Sequence, residues 1–285
     1  MSAHDRREFL KQTTLFCAAT ALSASEGLAA GALPSIRLGN LAVSRLILGS
    51  NPFFGFAHKP DGTGKRMQEF YSEERVMTVL DEAAAHGITA VWTPCYDRWI
   101  SLWNRYREGG GKLKIWIGQP DVRGDENMRA AIAACARNGG RAICIQGERI
   151  DGEVRADRWN VVRGWLEHIK SFGLPAGMAS HQPHTHLEAE QRGMPSDFYH
   201  QCVYQPENYS RECWDQAMVT VSKLSKPVVA YKVLAAGRVA PAEAFPELWT
   251  RLKPKDGLCV GVFPKDQPAQ VAENSTLVRH LSGKG

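Results

Sequence analysis

Eight times along this chain a short apolar run is followed by a longer amphipathic stretch, and few architectures accommodate that rhythm. The apolar runs fall at 45–49, 89–93, 113–118, 142–146, 175–180, 198–204, 228–234 and 258–263. Helical patterns follow at 73–86, 98–107, 126–138, 157–172, 186–191, 213–224, 241–252 and 269–281. Alternation of this kind specifies parallel βαβ units, and eight units close a ring. The expected class is therefore α/β, a (β/α)8 TIM barrel, with residues 36–43 and their Gly39-Asn40 turn forming an N-terminal hairpin across the barrel bottom. An open doubly wound sheet is the alternative. It would want a G-x-G-x-x-G turn after the first strand, and none is there.

The first residues read as an address rather than as structure. Arg6 and Arg7 precede Glu8, Phe9, Leu10 and Lys11, close to the twin-arginine export pattern, and an apolar run over 14–22 leads to small residues at Ala29, Ala30 and Ala32. That run is too short to span a bilayer. The expected organisation is a twin-arginine signal peptide over 1–32 and one barrel domain over 33–285, exported through the twin-arginine machinery to the periplasm or beyond, with no integral membrane segment after cleavage. Lys and Arg total 35 against 30 Asp and Glu, with no dense basic run, so a nucleic-acid partner is not expected and a small-molecule substrate is. Cys95, Cys135, Cys144, Cys202, Cys213 and Cys259 show neither a Cys-x-x-Cys pair nor metal spacing, and read as free thiols.

Barrel chemistry sits at the carboxyl ends of the strands. The residues there are Asn51, Trp92, Tyr96, Asp97, Gln119, Gln146, Glu148, Ser180, His181, Gln201, Tyr204, Lys232 and Lys265. Tyr96, Asp97, Glu148 and His181 are the candidate catalytic groups, since proton transfer needs titratable side chains facing one pocket. Asn51, Trp92, Gln119 and Gln146 are the candidate substrate contacts. Asp97 is read either as an acid–base group or as a helix N-cap, and Glu148 either as functional or as the surface partner of Arg149. Lys232 could form a Schiff base if desolvated, or act as a cation for a ligand anion. His181, His184 and His186 with Glu188 have a composition that suits a metal, but Thr185 to Glu188 also reads as a capping box; a metal is not favoured. Aromatics at Phe53, Phe54, Phe56, Trp92, Tyr96, Trp99 and Trp103 serve either sugar stacking or burial of the long loop over 51–71; Phe53 and Trp103 are assigned to burial and Tyr96 to a ligand.

Residues 36–50, Gln201-Cys-Val-Tyr204, Val229 to Arg238, Pro264-Lys265 and Glu273-Asn274 together resemble the aldo/keto reductase superfamily along essentially the whole chain after residue 32. The resemblance implies a nicotinamide cofactor, NADP or NAD, held by Ser180, Gln201, Tyr204, Lys232, Lys265, Glu273 and Asn274. Gln270 stands where the family has an Arg, which weakens the case for NADP over NAD. The catalytic positions depart from the family pattern: Trp92 replaces its Asp, Gln119 its Lys and Gln146 its His, and Tyr96 is displaced by one residue from its Tyr. Without the cation a phenol has little reason to become more acidic. The expectation is a divergent reductase-like enzyme for a small carbonyl or sugar-like compound. A non-redox isomerase or lyase on the same barrel, cofactor-free or metal-dependent, and a catalytically silent ligand-binding barrel are the alternatives.

Overall fold

The structure is a computed structural model that describes residues 32–283. The targeting segment lies outside these residues except for Ala32. Two short antiparallel strands, β1 (Ser35–Leu38) and β2 (Leu41–Ser44), form the expected hairpin around Gly39. Eight parallel strands follow: β3 (Leu46–Gly49), β4 (Ala90–Pro94), β5 (Ile115–Gln119), β6 (Ala142–Ile145), β7 (Ala176–Ser180), β8 (Phe198–Cys202), β9 (Val228–Tyr231) and β10 (Gly257–Gly261). Each pairs with its chain neighbour and β10 pairs back onto β3, so the sheet closes. The open-sheet alternative is set aside by that last pairing.

Strand pleating divides the apolar residues into two sets. Ile47, Ala90, Trp92, Ile117, Phe198 and Val229 turn inward and pack with Ile36, Leu38 and Val43 of the hairpin, which thereby plugs the amino end of the barrel. Leu46, Leu48, Val91, Trp116, Met178 and Tyr199 turn outward against the helical jacket. Close packing within the lumen depends on Gly177, where a Cβ would lie 2.4 Å from the Phe198 ring.

Between β3 and β4, the loop expected over 51–71 contains a 3-10 turn (Asn51–Phe54) and a helix α1 (Thr63–Phe70) before α2 (Glu73–Ala85), which Ser72 caps through the Arg75 amide. The jacket continues with α3 (Asp97–Glu108) and α4 (Asp125–Arg137). After β6 comes a helix absent from the sequence reading, α5 (Gly147–Arg155), then α6 (Trp159–Ser171). The remaining helices are α7 (Thr185–Gln191), α8 (Arg211–Lys223), α9 (Pro241–Trp249) and α10 (Gln270–Ser282). Strand β9 stops at Tyr231, shorter than expected, because Lys232, Ala235 and Ala236 adopt positive φ and cannot continue a ladder. Among the described residues no helix is long and apolar enough to cross a membrane. The six cysteines among the described residues are free thiols.

Candidate functional site

Two contiguous clefts open at the carboxyl end of the strands. The first, about 620 Å³, is lined by Asn51, Trp92, Tyr96, Gln119, Gln146, Glu148, Asp151, His181, Tyr231 and Lys232 among others. The second, about 580 Å³, shares Asn51, Trp92, Gln119, Tyr231 and Lys232 with it and runs on over Val260 to Phe263.

A hydrogen-bonded pair stands in the first cleft, only one member of which, His181, was expected from the sequence. Asp151, on α5 and 5% exposed, accepts three hydrogen bonds. They come from the Ser180 hydroxyl at 2.5 Å, the His181 backbone N–H at 3.0 Å, and His181 Nδ1 at 2.9 Å. Two of these fix the carboxylate itself, so the third fixes the imidazole: Nδ1 donates to the carboxylate and Nε2 is left without a protein partner among the described residues. The main chain beneath is anchored too, since Gln205 Nε2 donates to the His181 carbonyl at 3.0 Å and the Tyr231 hydroxyl donates to the Ser180 carbonyl at 3.2 Å. Gly147 lets α5 start this close to the ring, because a Cβ there would lie 3.0 Å from both His181 Cε1 and the Tyr231 hydroxyl oxygen.

Tyr96 also lines the cleft, but its phenol donates to Asp121 Oδ2 at 2.5 Å. Burial and that bond to a carboxylate both push its pKa above the ordinary tyrosine value. Glu148 stands at the rim, 60% exposed, with Arg149 at 3.1 Å and Arg123 at 3.9 Å. Asp97 is exposed in the first turn of α3 and lines neither cleft. Gln146 caps α5 by accepting from the Arg149 N–H at 3.1 Å. Across the mouth, Lys232 Nζ approaches His58 Nε2 to 2.9 Å and Asn51 Nδ2 lies 3.3 Å from the same nitrogen. Burial, with Lys232 next in effect, lowers the His58 pKa to about 4, so this imidazole is neutral and accepts. Of the aromatics, Phe53, Trp99 and Trp103 are buried in the jacket core, while Phe56 is exposed at the cleft.

The residues that the resemblance offered for a nicotinamide do not gather. Strand parity turns Phe198 and Cys202 inward, so Gln201 faces the jacket, fully buried, with its amide donating to the Cys202 carbonyl. Ser180 is likewise turned out to Asp151. Tyr204, Lys265, Glu273 and Asn274 line neither cleft; Lys265 and Glu273 are exposed, and Asn274 is buried on α10. Only Lys232 of that set lines a cleft. Gln270 lines the second cleft but spends its carbonyl on the Phe263 N–H at 2.7 Å. The three histidines do not converge either: His184 is exposed, and His186 is buried against Tyr199 and the His200 carbonyl. No metal-holding group of three or more such side chains occurs among the described residues. The capping box also gives way, since His184 is the N-cap of α7 and Glu188 pairs with Arg192.

No protein-family model matches the chain, and no curated protein sequence does. Solved structures do match in shape. A chain described as "Putative aldo-keto reductase from Pseudomona aeruginosa" superposes with a TM-score of 0.61 at 18% identity, over 90% of this chain and 97% of that one. Octameric ribulose-1,5-bisphosphate carboxylase/oxygenase from Pyrococcus horikoshii OT3 gives 0.51 at 14% identity, over 75% of this chain and 55% of that one. The expected (β/α)8 barrel is therefore the observed fold, shared in shape with a chain described as a putative aldo-keto reductase; identities this low carry the fold alone.

Proposed function

We propose that this protein is an acid–base enzyme, an isomerase or lyase that moves a proton at the carbon beside a carbonyl in a small, sugar-like substrate. The observation that carries the reading is the Asp151–His181 pair, a buried carboxylate holding an imidazole with its free nitrogen toward an open cleft. In that role His181 Nε2 takes the proton, and Asp151 stabilises the imidazolium that results. Gln119, Gln146 and Asn51 supply neutral hydrogen-bonding groups for hydroxyls or a carbonyl, and Trp92 and Phe56 supply apolar walls. Tyr96 contributes a donor whose bond to Asp121 must be exchanged for one to substrate.

The competing reading is oxidoreduction with NADP or NAD. It draws on the fold and on the second cleft, which is large enough for a further ligand portion. Against it stand the buried or outward-facing cofactor candidates and a Tyr96 phenol made less acidic, opposite to what carbonyl protonation by a tyrosine requires. Export, read from residues 1–32, would also place the enzyme where free nicotinamide is scarce.

The test is hydrogen exchange. Aldoses, ketoses and keto-sugars are incubated with the protein in D2O and followed by proton NMR. Loss of the signal beside the carbonyl with the native protein, and its retention with His181→Asn, supports the proposal. An unaffected exchange rate in His181→Asn, or cofactor-dependent turnover seen as a change in nicotinamide absorbance, overturns it.

A further inference from the structure

Lys232 is the residue that acid–base chemistry at His181 leaves unexplained. It follows β9 directly, lies on both clefts, and holds φ at +55°, a region costly for any side chain with a Cβ. Its neighbour across the mouth, His58, is in the same region at +52°. Two strained residues meeting side chain to side chain, 2.9 Å apart, mark a contact that the surrounding fold pays to keep.

The contact is unusual in charge. Lys232 makes no ion pair with a carboxylate among the described residues. Its hydrogen-bond partner is the neutral imidazole of His58; Nε2 of that ring also meets the Asn51 amide and the His58 carbonyl accepts from Arg238, while Cys202 and the exposed Glu207 act on Lys232 only electrostatically. A lysine that serves only as a surface cation does not need a place on both clefts or a strained backbone. A lysine that must present an amine lone pair to a ligand does.

We propose that Lys232 forms a covalent iminium with the carbonyl of the substrate, an inference that deepens the acid–base reading and rests on it for the steps after the iminium. The Nζ lone pair attacks the carbonyl carbon as the C=O π pair moves to oxygen. The attacking nitrogen passes one of its protons to the carbinolamine oxygen, solvent supplies a second, the C–O bond breaks as water leaves, and the nitrogen lone pair closes to C=N+. The positive iminium acidifies the adjacent C–H, whose proton passes to His181 Nε2 as the electron pair moves into an enamine. Return of the proton to the opposite face of that carbon gives epimerisation, and departure of a group one carbon further with its bonding pair gives elimination; in both, water adds to C=N+ and the C–N bond breaks to free the carbonyl product and the Lys232 amine. Tyr231 ties the two halves together, next to Lys232 in the chain and with its ring centroid 5.9 Å from that of His181. Burial lowers the Lys232 pKa from the ordinary lysine value, with Cys202 and Glu207 opposing, which raises the share of free amine at neutral pH.

The experiment is reductive trapping on the native protein, with dihydroxyacetone as the probe and sodium borohydride as the reductant at pH 7, read by peptide mass mapping. The expected result is a stable adduct on Lys232 at least about tenfold faster than on exposed Lys65 or Lys223, since the cleft holds the carbonyl against the amine while a surface lysine must meet it from solution. His181→Asn should keep this adduct while losing hydrogen exchange. Labelling of Lys232 no faster than that of the exposed lysines overturns the proposal, as does hydrogen exchange that survives undiminished in Lys232→Met. An adduct at Lys232 without exchange on any carbonyl compound would leave the iminium standing and remove the His181 reading instead.

Discussion

At the scale of single residues, the site is defined by what holds His181 rather than by His181 alone. Asp151→Asn keeps the shape but replaces an acceptor with a group that can present N–H to Nδ1, favouring the wrong tautomer. Turnover in that variant should fall by about 10³-fold or more, as expected when a carboxylate that orients a catalytic histidine is made neutral, with little change in thermal unfolding; kcat measured beside the unfolding midpoint checks both. Ser180→Ala removes one of three bonds to Asp151 and leaves the pair intact, so its loss should be about tenfold, within the range seen for groups that orient a first contact. Gly147→Ala tests the same geometry from the other side. Its methyl would meet His181 and Tyr231 at 3.0 Å, and the expected outcome is a fall in kcat larger than any rise in KM.

At the scale of elements, much of the barrel could be read from the chain because its signal is repeated. Each apolar run such as 142–146 or 258–263 is too short for a helix and is bounded by Gly, Asn or Pro, and the adjoining helices carry an apolar stripe. The site was legible only in part. His181, Tyr96, Gln119, Gln146, Asn51, Trp92 and Lys232 do line the first cleft, Trp92 and Gln119 from inward-facing strand positions and the others from the residues just past strand ends. Ser180 and Gln201 were misplaced by one step of the pleat: they belong to their strands, and period two sends them outward. Asp151 was missed because α5 has only nine residues and carries Gly152 inside it, so its pattern of Ile150, Asp151 and Val154 looked like a loop. A carboxylate among those apolar spacings was the one available sign. The hairpin offers an element-level test of how independent the two barrel ends are. Leu38 is fully buried in the plug, and Leu38→Ala should cost about 2–5 kcal/mol in denaturant unfolding while leaving Lys232 labelling and turnover per folded molecule unchanged.

At the scale of the whole molecule, the interior encloses two imidazoles that the chemistry does not use. His200 points into the barrel lumen against Trp92, with ring centroids 4.1 Å apart and neither nitrogen bonded to a protein group; His186 keeps one nitrogen bonded to the His200 carbonyl. Burial lowers their pKa values to about 3 and about 4. In the unfolded chain an imidazole takes its proton below about 6.5. Between that value and the folded ones, the unfolded state therefore binds more protons than the folded state, and stability falls as the pH falls through this window. Each such histidine contributes up to about 1.4 kcal/mol of loss per pH unit there. Replacing His200 with Leu removes one of the two and also removes two buried polar atoms without protein partners, a change that ordinarily gains about 1–3 kcal/mol. His200→Leu should thus be more stable than the native protein at pH 7, and its advantage should widen on acidification to pH 4.5. Urea unfolding at pH 7, 6 and 4.5 checks this; parallel loss of stability in the two proteins would show that His200 is not a source of the acid sensitivity. Because His200 lies inward of Trp92 and lines neither cleft, the variant should retain the hydrogen-exchange activity proposed for His181.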